Sequence, residues 1–103
     1  MTPLVFLGDS LERLREFPEG ARRETGVQLH KVQLGLEPSD WKPMQTIGRG
    51  VREIRVGDDT GAFRAIYIVR AQESVFVLHA FQKKTQKTAK RDLDLAAARL
   101  RQI

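Results

Sequence analysis

Residues 74–91 read SVFVLHAFQKKTQKTAKR. Val75, Phe76, Val77 and Leu78 are β-branched, aromatic or leucine, side chains that fit a pleated and mostly buried surface. A buried strand is predicted there. The same stretch ends in five basic residues (Lys83, Lys84, Lys87, Lys90 and Arg91), with no acid until Asp92. A buried strand is a rigid rod, so the core holds whatever sits at its exit. The exit here is cationic, which predicts a fixed positive site at a sheet edge.

Working upstream, residues 62–70 (AFRAIYIVR) are apolar on both faces, as a central strand should be, with Arg64 as the exception. Gly57 to Gly61 (GDDTG) is a hairpin turn by composition. Residues 44–56 (MQTIGRGVREIRV) read as a strand interrupted where Gly48 and Gly50 bracket Arg49, a bend or bulge. Ile54 and Val56 share one face of it, Glu53 and Arg55 the other. Ala71 to Glu73 makes the last turn. These three strands form an antiparallel meander.

Residues 35–43 (GLEPSDWKP) read as loop, because two prolines, Ser39 and Asp40 oppose regular structure. Trp41 there is expected to plug one end of the core; base stacking is the sharper alternative. At the N-terminus, Pro3–Leu7 is a short strand that joins the meander. Asp9 with Glu12 resembles a capping box, so a helix should start at Ser10. Leu11, Leu14 and Phe17 give it an apolar face, and Pro18 stops it. A second helix should run from Glu19 to about Leu34, weakened by Gly26 by roughly 1 kcal/mol relative to alanine. Downstream, a helix from about Thr88, its possible N-cap, carries Leu93, Ala96 or Ala97, Leu100 and Ile103 on one face. Asp94, Arg99, Arg101 and Gln102 take the opposite face. The whole is one compact α+β domain, residues 1–103, with a helical hairpin covering one face of the sheet.

The totals narrow the chemistry. The 103 residues suffice for one core. With no cysteine, disulfides and thiolate metal sites are excluded. His30 and His79 alone make no histidine metal site, and no metal is expected. No apolar run approaches the roughly 18 residues of a membrane span, and the first ten residues do not read as a signal peptide, so a cytoplasmic location is expected. The net charge of +5 is uneven: residues 1–30 hold four basic and five acidic side chains, residues 31–103 fourteen and eight. A localised excess suits a polyanion, usually nucleic acid. GxSxG, P-loop and GxGxxG motifs are absent, leaving ordinary hydrolases, kinases and dehydrogenases without support.

Arginine inside a strand needs a partner, because an unpaired buried guanidinium is costly. Arg64 either pairs with Glu53 across the meander or faces a polar cleft. If the strands pair in order, one face gathers Arg55, Arg64 and one or both of Lys83 and Lys84. That cluster would bind phosphate and suit a phosphoryl-transfer transition state. The plainer alternative is a Glu53 pair with Arg64 or Arg55 beside solvated lysines. Tyr67 and His79 are more readily core residues than acids or bases.

The segments TIGRGVREIRV, AFRAIYIV and VFVLHAFQKKTQKTAKRDLDLAAARL resemble the RelE/ParE toxin superfamily, most closely its phage-derived HigB-type branch. In that branch a G-x-G-x-x-E-I/L-R strand, an F-R-x-x-Y strand and an F-x-K-K-T-x-K-T-P strand exit precede a terminal helix. Residues 44–103 match in motif, residues 3–35 in layout; Ala89 stands where proline is usual. The resemblance implies a RelE-like fold and a metal-independent, cofactor-free endoribonuclease that cuts messenger RNA on the ribosome. The 2′-hydroxyl attacks the adjacent phosphate. By the same resemblance, Arg64 stabilises the transition-state phosphate, Lys83 and Lys84 contact the scissile phosphate or leaving oxygen, and Arg55 orients the attacking hydroxyl. Lys87, Lys90 and Arg91, with Arg49 and Arg52, would hold RNA. The general base stays open among Lys83, Lys84, His79 and Tyr67. An antitoxin partner of helix-turn-helix (HigA) type is implied. Two alternatives are a ParE-like gyrase inhibitor without nuclease chemistry and a non-catalytic nucleic-acid-binding module of phage origin.

Overall fold

The computed structural model describes residues 1–70 and 74–103. Its elements are β1 (Leu4–Phe6), α1 (Ser10–Arg15), α2 (Glu19–Gln33), β2 (Trp41–Pro43), β3 (Arg52–Asp58), β4 (Gly61–Arg70), β5 (Ser74–Lys83) and α3 (Lys90–Leu100). They build a five-stranded sheet in the order β1-β5-β4-β3-β2. β5 lies parallel to β1 and antiparallel to β4, and β3 lies antiparallel to both β4 and β2. The α+β class, the meander and the joining of the first strand are as expected. The turn expected over Ala71–Glu73 lies outside the described residues.

β4 and β5 sit in the middle because their sequences bury both faces. Six consecutive β4 residues, Phe63–Ile68, are buried. On one face Ile54, Val56, Phe63, Ala65, Tyr67, Val75 and Val77 pack against Leu14 and Phe17, and against Ala21, Leu29 and Val32 of α2. The helical hairpin thus covers this face. On the other face Ile66, Ile68, Leu78 and Phe81 pack against Met44, Val51 and Ala96, with Leu93 and Leu100 beside them. α3 covers that half. β5 carries a bulge at Ile66/Tyr67 of its partner, so neighbouring Leu78 and His79 both turn toward α3.

Three boundaries differ from the sequence reading. Residues 41–43 are not loop but the edge strand β2, paired residue for residue with Arg52–Ile54. Pro43 is tolerated there because it precedes Met44, whose amide bonds inward, so that the N–H it lacks would point out from the sheet edge. The strand expected from Met44 begins only at Arg52. The residues between fold into a loop closed by the Met44 amide donating to the Val51 carbonyl at 2.8 Å. Gly50 takes a left-handed φ of 84° in it. The last helix starts at Lys90 with Ala89, not Thr88, at its N-cap.

Two polar side chains do other work than their local pattern suggests. Asp9 precedes α1 without a side-chain capping bond. Its carboxylate instead meets the guanidinium of Arg99, which holds it below the usual carboxylate range. Arg99, expected on the solvent face of α3, is buried and donates to the Leu78 carbonyl at 2.9 Å. It ties α3 to β5 and to the entry of α1. Ile103, expected on the apolar face, is exposed.

Gly8 makes this tie possible. Its φ is 55°, and a Cβ there would collide with the Arg99 guanidinium. Gly8→Ala therefore combines left-handed strain with displacement of a buried charged donor, and should cost about 2–4 kcal/mol. Urea denaturation checks this; a loss within a few tenths would mean that Arg99 does not anchor α3.

Candidate active site

α3 protects only part of its sheet face. Toward the β3–β4 hairpin the face carries charge. Arg55 and Arg64 stand directly opposite each other across β3 and β4. Lys83 faces Ala62 in the β4–β5 ladder, and Phe81 faces Arg64, so Lys83 lies one same-face step from Arg64. Lys42 of β2 stands opposite Glu53. Register thus puts Lys42, Arg55, Arg64 and Lys83 on one face. Like charges directly opposed across strands are unfavourable. Such an arrangement marks a place where an anion would relieve the repulsion.

Glu53 is the counter-charge inside this cluster. It is completely buried, and its Oε1 lies 3.6 Å from Arg64 Nε. That is an ion pair but too long for a good hydrogen bond; neither atom has another partner in the structure. The Thr88 hydroxyl donates to Glu53 Oε2 at 3.1 Å. Thr88 was expected to cap α3; it instead fastens the segment before α3 to the sheet. Arg64 is 8% exposed and donates from Nη1 to the Phe63 carbonyl at 2.8 Å. Burial, then Arg55, lowers its pKa against the opposing pull of Glu53, yet a guanidinium stays charged throughout the physiological range. Lys83 is half-buried. Burial first, then Arg64, hold its ammonium below the ordinary lysine range. A lowered lysine pKa brings a neutral amine nearer to neutral pH.

The remaining sequence candidates fall in different places. Lys84 and Arg91 are exposed and line a cleft of about 270 Å³ with Arg13 and Lys83, on the outer side of the β5 exit. Lys87 lines a separate groove with Lys42. Lys90 pairs with Asp94 at 2.7 Å on the surface, and Arg49 is exposed in the loop before β3. Arg52 points to the opposite sheet face from Arg64. Its guanidinium lies 4.0 Å from the centre of the Trp41 ring and 3.6 Å from Glu37. Trp41 is thus a half-buried edge residue beneath Arg52, neither a core plug nor an open stacking platform near Arg64.

Tyr67 and His79 are apart from the charged cluster. Tyr67 is 1% exposed and packs on the face of α1 and α2, and burial raises its pKa. His79 lies beneath α3, its Nε2 at 2.8 Å from Asp92 and its ring stacked on Phe81. Its Nδ1 has no partner. This fits a neutral ring donating from Nε2, since an orphaned lone pair costs less than an orphaned N–H of a buried cation. Burial lowers its pKa below 6.5 despite Asp92. The unfolded chain then binds the proton more readily, so this contribution to stability is present above pH 6.5 and is lost as pH falls through the folded value. From about pH 7.5 to about pH 5 the urea midpoint of the wild type should fall more steeply than that of His79→Gln; equal slopes would contradict the assignment.

Lys42 is the cluster member that sequence reading missed. It sits in LEPSDWKP, whose prolines suggest loop. No local signal marked it, because the pairing of residues 41–43 with the strand that carries Glu53 is a tertiary fact.

Among the described residues no group of three acidic, histidine or cysteine side chains could hold a metal ion. No helix among them is long and apolar enough to cross a membrane.

Residues 12–101 match the family described as phage derived protein Gp49-like (DUF891). The chain belongs to the phage-derived Gp49-like family. A solved structure of an E. coli RelE toxin double mutant, in its free state, is similar to this Gp49-like chain at a TM-score of 0.68 and 14% identity. The match covers 99% of the Gp49-like chain and 97% of that chain. The fold is therefore RelE-like, and the family and fold read from the strand motifs hold. No curated protein matches.

Proposed function

We propose that this Gp49-like protein is the toxin of a toxin–antitoxin pair and a ribosome-dependent endoribonuclease. The observation that carries the reading is the cluster of Lys42, Arg55, Arg64 and Lys83 on one sheet face, with Glu53 buried among them. The RelE-like fold and the Gp49-like family support it.

The cluster's geometry supports the following chemistry. The messenger's scissile phosphate sits against Arg64 and Arg55. The 2′-oxygen attacks phosphorus and its proton passes to Lys83, the base that burial and the neighbouring cations favour. The bond from phosphorus to the 5′-oxygen breaks, that oxygen takes up a proton from solvent water, and a 2′,3′-cyclic phosphate remains. Charge gathers on the non-bridging oxygens, where a preplaced guanidinium acts most strongly. Glu53 touches no substrate; it holds Arg64 in place. The exposed Lys84, Lys87, Lys90, Arg91 and Arg49 hold RNA around the cut, and the protein works in the cytoplasm on translating ribosomes. A helix-turn-helix antitoxin of HigA type neutralises it.

Induction of the protein alone in cells, followed by mapping of messenger 5′ ends, tests this. Cleavage inside translated frames is expected. Growth arrest with intact messengers and a DNA-damage response would overturn the nuclease reading in favour of gyrase inhibition.

A further inference from the structure

A groove of about 590 Å³ opens between the end of β2 and the segment leading into α3. Two of its lining residues also belong to the charged cluster or its support. Lys42 shares the sheet face with Arg64 and Lys83, and Thr88 donates to Glu53. Through these two residues the groove adjoins the charged face where the phosphate would sit.

Its chemistry differs from that place. Pro43, Met44 and Leu93 supply an apolar surface, and two exposed glutamines also line it, Gln45 just after β2 and Gln86 in the segment before α3. Among the described residues its charged lining residues are Lys42 and Lys87, both cationic. An apolar floor suits the flat face of a nucleobase. Primary amides offer both a donor and an acceptor to a base edge. The lysines suit the phosphates on either side. An acidic peptide would satisfy the lysines and the amides as well, but the adjoining cationic face read as the phosphate site favours RNA.

Resting on the nuclease reading, we infer that this groove holds the base of a single-stranded RNA nucleotide next to the scissile phosphate. Gln45 and Gln86 are then the residues that set base preference. They touch the substrate without taking part in the reaction.

The probes are inorganic phosphate and an RNA trinucleotide made uncleavable by 2′-deoxy sugars, each titrated into the labelled protein and followed by backbone amide shifts. Both should shift amides around Arg64 and Lys83. The trinucleotide alone should also shift residues 42–46 and 86–88. Gln45→Ala and Gln86→Ala are surface changes that leave the fold intact. Each should weaken the trinucleotide roughly three- to tenfold, the worth of one hydrogen bond, and leave phosphate binding unchanged. Base order in the trinucleotide should matter less in each variant. Shifts confined to the Arg64 surroundings with both ligands, or variants that bind as wild type, would overturn the groove assignment and leave the phosphate site standing. No shift around Arg64 with either ligand would overturn the nuclease reading and the groove with it.

Discussion

Glu53→Ala should destabilise the fold by about 3–5 kcal/mol, because it leaves the nearly buried Arg64 guanidinium without a counter-charge. For a domain of this size that is a large part of a total of about 5–15 kcal/mol. Thr88 also loses its acceptor, so the segment between β5 and α3 should loosen together with the core. Chemical denaturation measures the first effect, and amide exchange over residues 84–89 the second. The double variant Glu53→Leu/Arg64→Leu should recover most of the stability, since apolar residues of similar volume replace a buried pair at little or no cost. A Glu53→Ala protein as stable as the wild type would mean that the pair is not buried as described.

Arg64→Lys should lower messenger cleavage by about 10²–10³-fold while the protein stays folded. Lysine keeps a positive charge beside Glu53, so the buried carboxylate remains compensated. It lacks the planar fork that can meet two phosphate oxygens at once. Arg64→Ala would be a poorer experiment, because it orphans Glu53 and confounds instability with lost chemistry. The stable double-leucine variant provides the matching control, as it should fold and fail to cut. Cleavage by Arg64→Lys at the wild-type rate, with the same ends, would remove Arg64 from the transition state.

The two predictions separate what was legible in the sequence from what was not. The runs 62–70 and 75–81 are apolar on both faces, and that alone identifies two central strands. The GDDTG turn sets the register of the first of them with β3, and register places Arg55 opposite Arg64. Alternation along a strand therefore carried much of the site. It could not place Lys42, whose strand is three residues long and contains a proline. Helical spacing does set Arg99 three residues after buried Ala96 on one face, but the partners that allow a charge there, Leu78 and Asp9, come from distant parts of the chain. Asp9 illustrates the same point from the other side: a local capping pattern yielded to a tertiary ion pair. Tyr67 sits an odd number of residues from Arg64, which already puts the two on opposite faces of β4. His79 needed the bulge and α3 to be seen before its burial against Asp92 was evident.

Purified protein added to ribosomes programmed with a defined messenger is the most direct test of the charged cluster as a cleavage site. The messenger is made twice, once with ribose and once with a single 2′-deoxy sugar at the cut position. Cleavage of the first, leaving a 2′,3′-cyclic phosphate, and none at that position in the second is the predicted result. Equal cutting of both messengers, or cutting of neither, would contradict the account.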